Sequence, residues 1–122
     1  MFSVGRLINS FKYSVEGLSY SFKYNQNIKI HIIIAFVVIL VGLFLGLSKI
    51  ELLTVSIMIV LVISSEMINT AIEEVINLLV NEHRQEAKIA KDVSAGMVLL
   101  VSVFALIVGF FVFLPHLIDL FR

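Results

Sequence analysis

The chain has 122 residues, 60% of them hydrophobic and with a mean hydropathy of +1.07, well above the apolar share of about 45–50% usual for soluble globular proteins. Nine Lys/Arg and nine Asp/Glu cancel and no basic run appears, so charge gives no case for a nucleic-acid partner. There is no cysteine, which removes disulfides and thiolate metal sites, and three scattered histidines do not form a zinc constellation. These features predict a single all-α membrane domain over 1–122. The N-terminus is expected to be mature, because the first 29 residues lack the apolar core and cleavage site of a signal peptide.

Val4, Leu7, Ile8, Phe11, Val15, Leu18 and Phe22 fall at helical spacing, with Arg6, Asn9, Lys12, Glu16 and Lys23 largely on other faces. This predicts an amphipathic helix over about 4–24, too polar to span and suited to the headgroup zone of a membrane. "YNQN" (24–27), poor in helix propensity, separates it from the apolar run Ile30 to Leu47, the core of a first span over about 29–47. "SKIE" reads as a short polar turn before a second span, placed at 51–80 with an extension beyond the lipid. "NEHRQEAKIAKD" (81–92) is the only long polar stretch, and a third span over about 91–114 is expected to close at Pro115.

Arg6, Lys12, Lys23 and Lys29 in the N-terminal segment and Arg84, Lys88 and Lys91 in the second loop outnumber Lys49 and Arg122 on the other side. The N-terminus and the 81–92 loop are therefore expected to be cytoplasmic.

The second span carries the chemistry. Leu52 to Leu79 covers about 42 Å as a helix against roughly 30 Å of hydrocarbon, so its cytoplasmic third must project. Counted from Leu52, Glu66 lies about 21 Å in, within the inner leaflet, and Glu73 reaches the boundary at about 31 Å. At about 100° per residue, Asn69, Glu73, Glu66 and Asn77 form one stripe, while Glu74 points about 80° away and reads as merely solvated. A carboxylate in lipid costs about 2.5 kcal/mol or more, so such a stripe should face a bundle interior or a polar cavity. Acids lined by amides suit a bound cation or a group that must take a proton.

"AKDVSAG" at the start of the third span should face that stripe, with Lys91 and Asp92 level with Glu73 and with Ser94, Ala95 and Gly96 permitting close approach. Ala95, Ser102 and Gly109 recur every seven residues and read as a packing seam. A carboxylate set for magnesium together with Lys and Arg for phosphate oxygens is the minimum equipment for phosphoryl transfer. The chain has neither a GxxxxGK[ST] loop nor a kinase Gly-rich loop, so any kinase here is of another kind.

"SSEMINTAIEEVINLL" followed by "AKIAKDVSAGMVLL", with "GRLINSFKYSVEGL" and "NIKIH" upstream, resembles the signature of the small prokaryotic integral-membrane diacylglycerol kinase family, which includes undecaprenol kinases. The resemblance covers nearly the whole chain and rests on an E-x-x-N-[ST]-A-I-E core with a downstream A-K-D. It implies a homotrimer of three-span chains, each with a surface helix, moving the γ-phosphate of ATP, with Mg2+ as cofactor, onto a lipid hydroxyl. It implies Glu66 as general base, Glu73 as magnesium ligand, and Asn69 orienting Glu66 or the substrate, with Ala95 also at the lipid. It further implies Lys91 on the transferring phosphate with Asp92 beside it, Arg6 and Tyr13 closing on nucleotide and headgroup, and nucleotide contacts from the loop Glu82, His83 and Arg84.

The family commonly places a second glutamate metal ligand where this chain has Asn25, whose amide oxygen can ligate magnesium but lacks the charge. His31 reads as an interfacial hydrogen-bonding residue, and His116 has no assignment. The competing class is a non-enzymatic oligomeric membrane protein or ion-coupled carrier subunit using Glu66. A family member that has lost activity is a third reading.

Overall fold

The computed structural model describes residues 3–122 and contains four helices, with no strand among the described residues. They are α1 (Val4–Tyr24), α2 (Gln26–Phe44), α3 (Lys49–Leu79) and α4 (Gln85–Leu120). The last three are long and apolar enough to cross a membrane. α3 is central, with α2 and α4 packed along it, and α1 packs against α2.

The boundaries follow from local chemistry. α1 and α2 are separated by Asn25 alone, whose extended backbone and side-chain oxygen cap α2 by accepting from the Asn27 and Ile28 amides at 2.9 and 3.2 Å. Gln26 and Asn27 thus join the helix, although their composition predicts a loop: an N-cap offsets weak propensity in the first turn.

At the far end α2 closes in a Schellman motif. Gly46 adopts φ +75°, its amide bonds the Leu43 carbonyl at 3.2 Å, and the Leu47 amide bonds that of Gly42 at 3.0 Å. α3 then opens with a capping box, in which the Ser48 hydroxyl accepts from the Glu51 amide and Glu51 accepts from the Ser48 amide. "SKIE" is therefore the start of a helix as well as a turn.

α4 runs on to Leu120 with Pro115 inside it, where the sequence predicts an end. Proline removes one bond, to the Phe111 carbonyl, whereas opening the helix would free a whole turn of carbonyls. His116, one residue on, reaches back to the first turn of α3, with Nε2 at 3.1 and 3.2 Å from the two Glu51 carboxylate oxygens.

The packed faces follow a heptad-like repeat. Ile28, His31, Ala35, Val38 and Gly42 on α2 alternate spacings of three and four, as do Val55, Met58, Val62, Ser65 or Glu66, and Asn69 on α3. Among the described residues the buried apolar side chains are few (Ile28, Leu47, Val55, Met58 and Val62), and the large outer side chains of the spans are exposed. Such a surface belongs in lipid or against further protein.

Candidate active site

Between the C-terminal end of α1, the α1–α2 turn and the polar half of α3 lies a cleft of about 280 Å³. Tyr20 and Tyr24 of α1, Asn25, Gln26 and Asn27 of the turn, and Glu66, Asn69, Thr70, Glu73 and Glu74 of α3 line it. One helical face delivers Glu66, Asn69 and Glu73 together, as the 100° count requires.

Within the stripe the burial is graded. Glu66 is 5% exposed and Asn69 8%, whereas Glu73 is half-buried. Asn69 is held from both sides: its amide donates to Glu73 Oε1 at 3.1 Å, and its oxygen lies 2.6 Å from the Ser94 hydroxyl of α4. That hydroxyl also lies 2.9 Å from the Lys91 carbonyl and has one proton to give between the two. Further along the same face, Lys91 Nζ donates to Asn77 at 2.8 Å. The start of α4 therefore does face the stripe, and it orients Asn69 and Asn77.

Glu66 is treated differently. Its Oε1 lies 3.6 Å from His31 Nε2, within ion-pair reach and just beyond a hydrogen bond, while its Oε2 is buried with no hydrogen-bond partner among the described residues. Its backbone carbonyl accepts from the Thr70 hydroxyl at 2.9 Å, and Thr70 accepts in turn from the Asn25 side-chain amide.

Several residues singled out from sequence lie elsewhere. Arg6 and Tyr13 are exposed on α1 and do not line the cleft; Arg6 is about 21 Å along the helix from Tyr20. Glu82, His83 and Arg84 form the exposed connection before α4, and Arg84 sits at that helix's N-cap position. Asp92 is exposed and pairs with Lys88 on its own helix. Ala95 is exposed, and its neighbour Ser94, 4% exposed, makes the contact with α3. Conversely, Glu74 is exposed yet borders the same cleft as Glu73, so it is not off the site as its angle implies: the cleft is wide enough to include the flank of the stripe.

Residues that the sequence did not assign to the site are also brought in, among them His31, Thr70, Tyr20 and Tyr24. His31 has a legible signal, since it falls on the packed heptad-like face of α2.

The donor set suits a magnesium ion that arrives with phosphates and keeps waters, because such sites use one or two carboxylates instead of an all-protein cage. Among the described residues no three His, Cys, Asp or Glu groups are gathered closely enough to enclose a metal, while Glu73 and Glu74 border the cleft. The Asn25 oxygen is already committed to the α2 amides, which leaves that residue a poor ligand.

A second cavity, of about 640 Å³, adjoins this region. It is an apolar groove among α2, α3 and α4, lined by residues such as Ala35, Val55, Met58, Ser102 and Gly109, with His31 among them. A Cβ on Gly109 would meet nothing within 4 Å, so Ser102 and Gly109 border open space in the single chain instead of a packed seam.

The model of the prokaryotic diacylglycerol kinase family matches residues 12–113. A diacylglycerol kinase of Synechocystis sp. is 40% identical over 115 residues, 93% of this chain and 66% of that protein, so about a third of that relative has no counterpart here. The undecaprenol kinase of Bacillus subtilis is 33% identical over 93% of both chains, and a diacylglycerol kinase of Haemophilus influenzae is 34% identical over 75% of this chain and 78% of its own. With the family's motif lying on the helix that builds the polar cleft, the chain belongs to the prokaryotic diacylglycerol kinase family, a membrane-embedded family of lipid kinases.

Proposed function

We propose that this protein transfers the γ-phosphate of Mg-ATP to the hydroxyl of a membrane lipid, making phosphatidic acid from diacylglycerol or undecaprenyl phosphate from undecaprenol. The observation that carries the reading is Glu66: a carboxylate buried to 5% exposure inside an apolar helix, one oxygen unpartnered, on the same face as Glu73 in a polar cleft. An acid in such a place needs a task, and an alcohol that must lose its proton provides one.

Three cleft residues and one neighbour from α4 then have roles. Glu66 accepts the proton of the lipid hydroxyl. Asn69, fixed by Ser94 and Glu73, keeps the stripe in register with α4. Glu73 is the carboxylate that would hold magnesium, whose chemistry is to neutralise charge on the phosphates. Lys91 would offset charge on the transferring phosphate from the α4 side. Arg6, Tyr13, Glu82, His83, Arg84 and Asp92 lie outside the cleft of the single chain, and the family resemblance alone assigns them to the nucleotide.

The same reading places the N-terminus and the 81–92 loop in the cytoplasm, where ATP is, with α1 lying amphipathically on the inner face of the plasma membrane. The exposed apolar faces of the spans leave surface for the homotrimer that the family resemblance implies. The test is a phosphorylation assay with purified protein, labelled ATP and magnesium, offering diacylglycerol and undecaprenol separately. Label in one lipid is the expected result. Label in neither would overturn the kinase reading and favour a carrier that uses Glu66 as its charged site.

A further inference from the structure

We propose that His31 is the positioning residue of Glu66, holding one carboxylate oxygen so that the other faces the acceptor hydroxyl. The assignment rests on the lipid-kinase reading. It begins with an asymmetry in the carboxylate: Oε1 lies 3.6 Å from His31 Nε2, while Oε2 is buried and without a hydrogen-bond partner among the described residues. A buried acceptor with no donor carries a standing desolvation penalty that a substrate O–H would relieve.

Because an ionised carboxylate can only accept, the imidazole must present a proton at Nε2 to attract it. The residues that line the cleft with Glu66 include no Lys, Arg or His: Tyr20 and Tyr24 come from α1, Asn25, Gln26 and Asn27 from the turn, and Asn69, Thr70, Glu73 and Glu74 from α3 itself. On α4, Lys91 is engaged with Asn77 and Lys88 with Asp92. The His31 imidazole is a basic group that the fold brings within ion-pair reach of Glu66.

Its place is fixed by two features. The Asn25 amide bonds Thr70 one turn beyond Glu66, which sets the α2 N-terminus against α3. Six residues on, about 9 Å along α2, the packed face presents His31. The pair also straddles the two cavities: His31 lines the apolar groove, and Glu66, beside it, lines the polar cleft. The pair therefore stands where an apolar tail and a polar headgroup would part.

In the step itself the lipid oxygen forms a bond to the γ-phosphorus as the bond from that phosphorus to the β–γ bridging oxygen breaks. The hydroxyl proton passes to Glu66 Oε2, and ADP leaves with the bridging oxygen. The proton is later returned to water, which restores the carboxylate. His31 gives up no proton in this sequence; it draws Oε1 toward Nε2 and so orients the carboxyl plane.

The experiment compares His31→Leu with His31→Gln in the lipid phosphorylation assay, with Glu66→Gln alongside. Glutamine retains a donor close to the position of Nε2, and leucine removes it. His31→Leu should lower kcat roughly 10- to 100-fold with little change in the KM for ATP, and His31→Gln should restore most of that loss. Detergent-solubilised folding of both variants is checked by helicity and oligomer size. A folded His31→Leu protein with wild-type kcat, or a folded His31→Gln protein as slow as His31→Leu, would overturn the assignment while leaving the kinase reading intact. A wild-type protein that phosphorylates neither lipid would sink both.

Discussion

Asn25 is tied to Thr70 across the boundary between α2 and α3: its side-chain amide donates to the Thr70 hydroxyl, which donates to the Glu66 carbonyl at 2.9 Å. At the same time its side-chain oxygen caps α2. Both polar atoms of the Asn25 side chain are thus spent on structure.

Asn25→Ala should therefore destabilise the protein by about 1 kcal/mol or more through loss of the cap, measured by thermal unfolding in detergent. Asn25→Asp keeps the capping acceptor and adds a negative charge beside Glu66, Glu73 and Glu74, and it should lower the magnesium concentration needed for half-maximal activity. The longer Asn25→Glu is expected to act in the same direction at a greater cost in stability, because glutamate is a poorer cap. An unchanged magnesium requirement in both acidic variants would show that the metal site has compensated elsewhere.

Glu66 and Glu73 share a face yet differ in setting, and the difference predicts separable phenotypes. Glu66→Gln removes the proton acceptor and should abolish turnover, a loss on the order of 100-fold or more, with nucleotide binding nearly intact. Glu73→Gln should instead weaken metal-dependent nucleotide binding, read by titration of a fluorescent ATP analogue with and without magnesium. Equal loss of binding in both would contradict the division of roles.

The three spans and the polar stripe were legible because each depends on one helix at a time: hydropathy reports lipid crossing, and angular periodicity reports which side chains share a face. What joins the helices was less so. That Ser94 and not Ala95 meets Asn69, that Asp92 turns back to Lys88, and that His31 meets Glu66 are matters of inter-helix register, to which a few degrees of rotation are decisive. Pro115 shows the opposite limit, where a strong local rule gives way because lipid offers an open helix end no partner.

Ser94 is the test of that register. Ser94→Ala removes the hydroxyl 2.6 Å from the buried Asn69 oxygen and 2.9 Å from the Lys91 carbonyl, leaving an acceptor unpaired, which should cost about 1–3 kcal/mol and lower kcat by letting Asn69 turn away from Glu73. Ala95→Ser, at the exposed neighbouring position, should change neither, as thermal unfolding and steady-state kinetics of the two variants would reveal.

Lys91 and Asp92 are adjacent in sequence and divergent in space, so they should not lose activity together. Lys91→Met removes the cation bonded to Asn77 on the stripe and should reduce kcat substantially, by about tenfold or more. Asp92→Asn breaks only an exposed pair with Lys88 and should alter stability by no more than about 0.5 kcal/mol. Should Asp92→Asn prove as damaging to kcat as Lys91→Met, the exposed carboxylate must be recruited when nucleotide binds.

Gly46 offers a control at the opposite end of the spans. Its φ of +75° lies in the left-handed region, and nothing lies within 4 Å of where a Cβ would stand, so a substitution there meets backbone strain without a clash. Gly46→Ala should cost about 1 kcal/mol by that strain, with Gly46→Asn costing less because asparagine tolerates the conformation. Neither side chain borders the cleft, and the Schellman motif sets only how α2 hands over to the Ser48 capping box. Both variants should therefore lower thermal stability while leaving kcat and the KM for ATP unchanged. A kcat that fell in step with stability would mean that the α2–α3 turn transmits its geometry along the helices to Glu66.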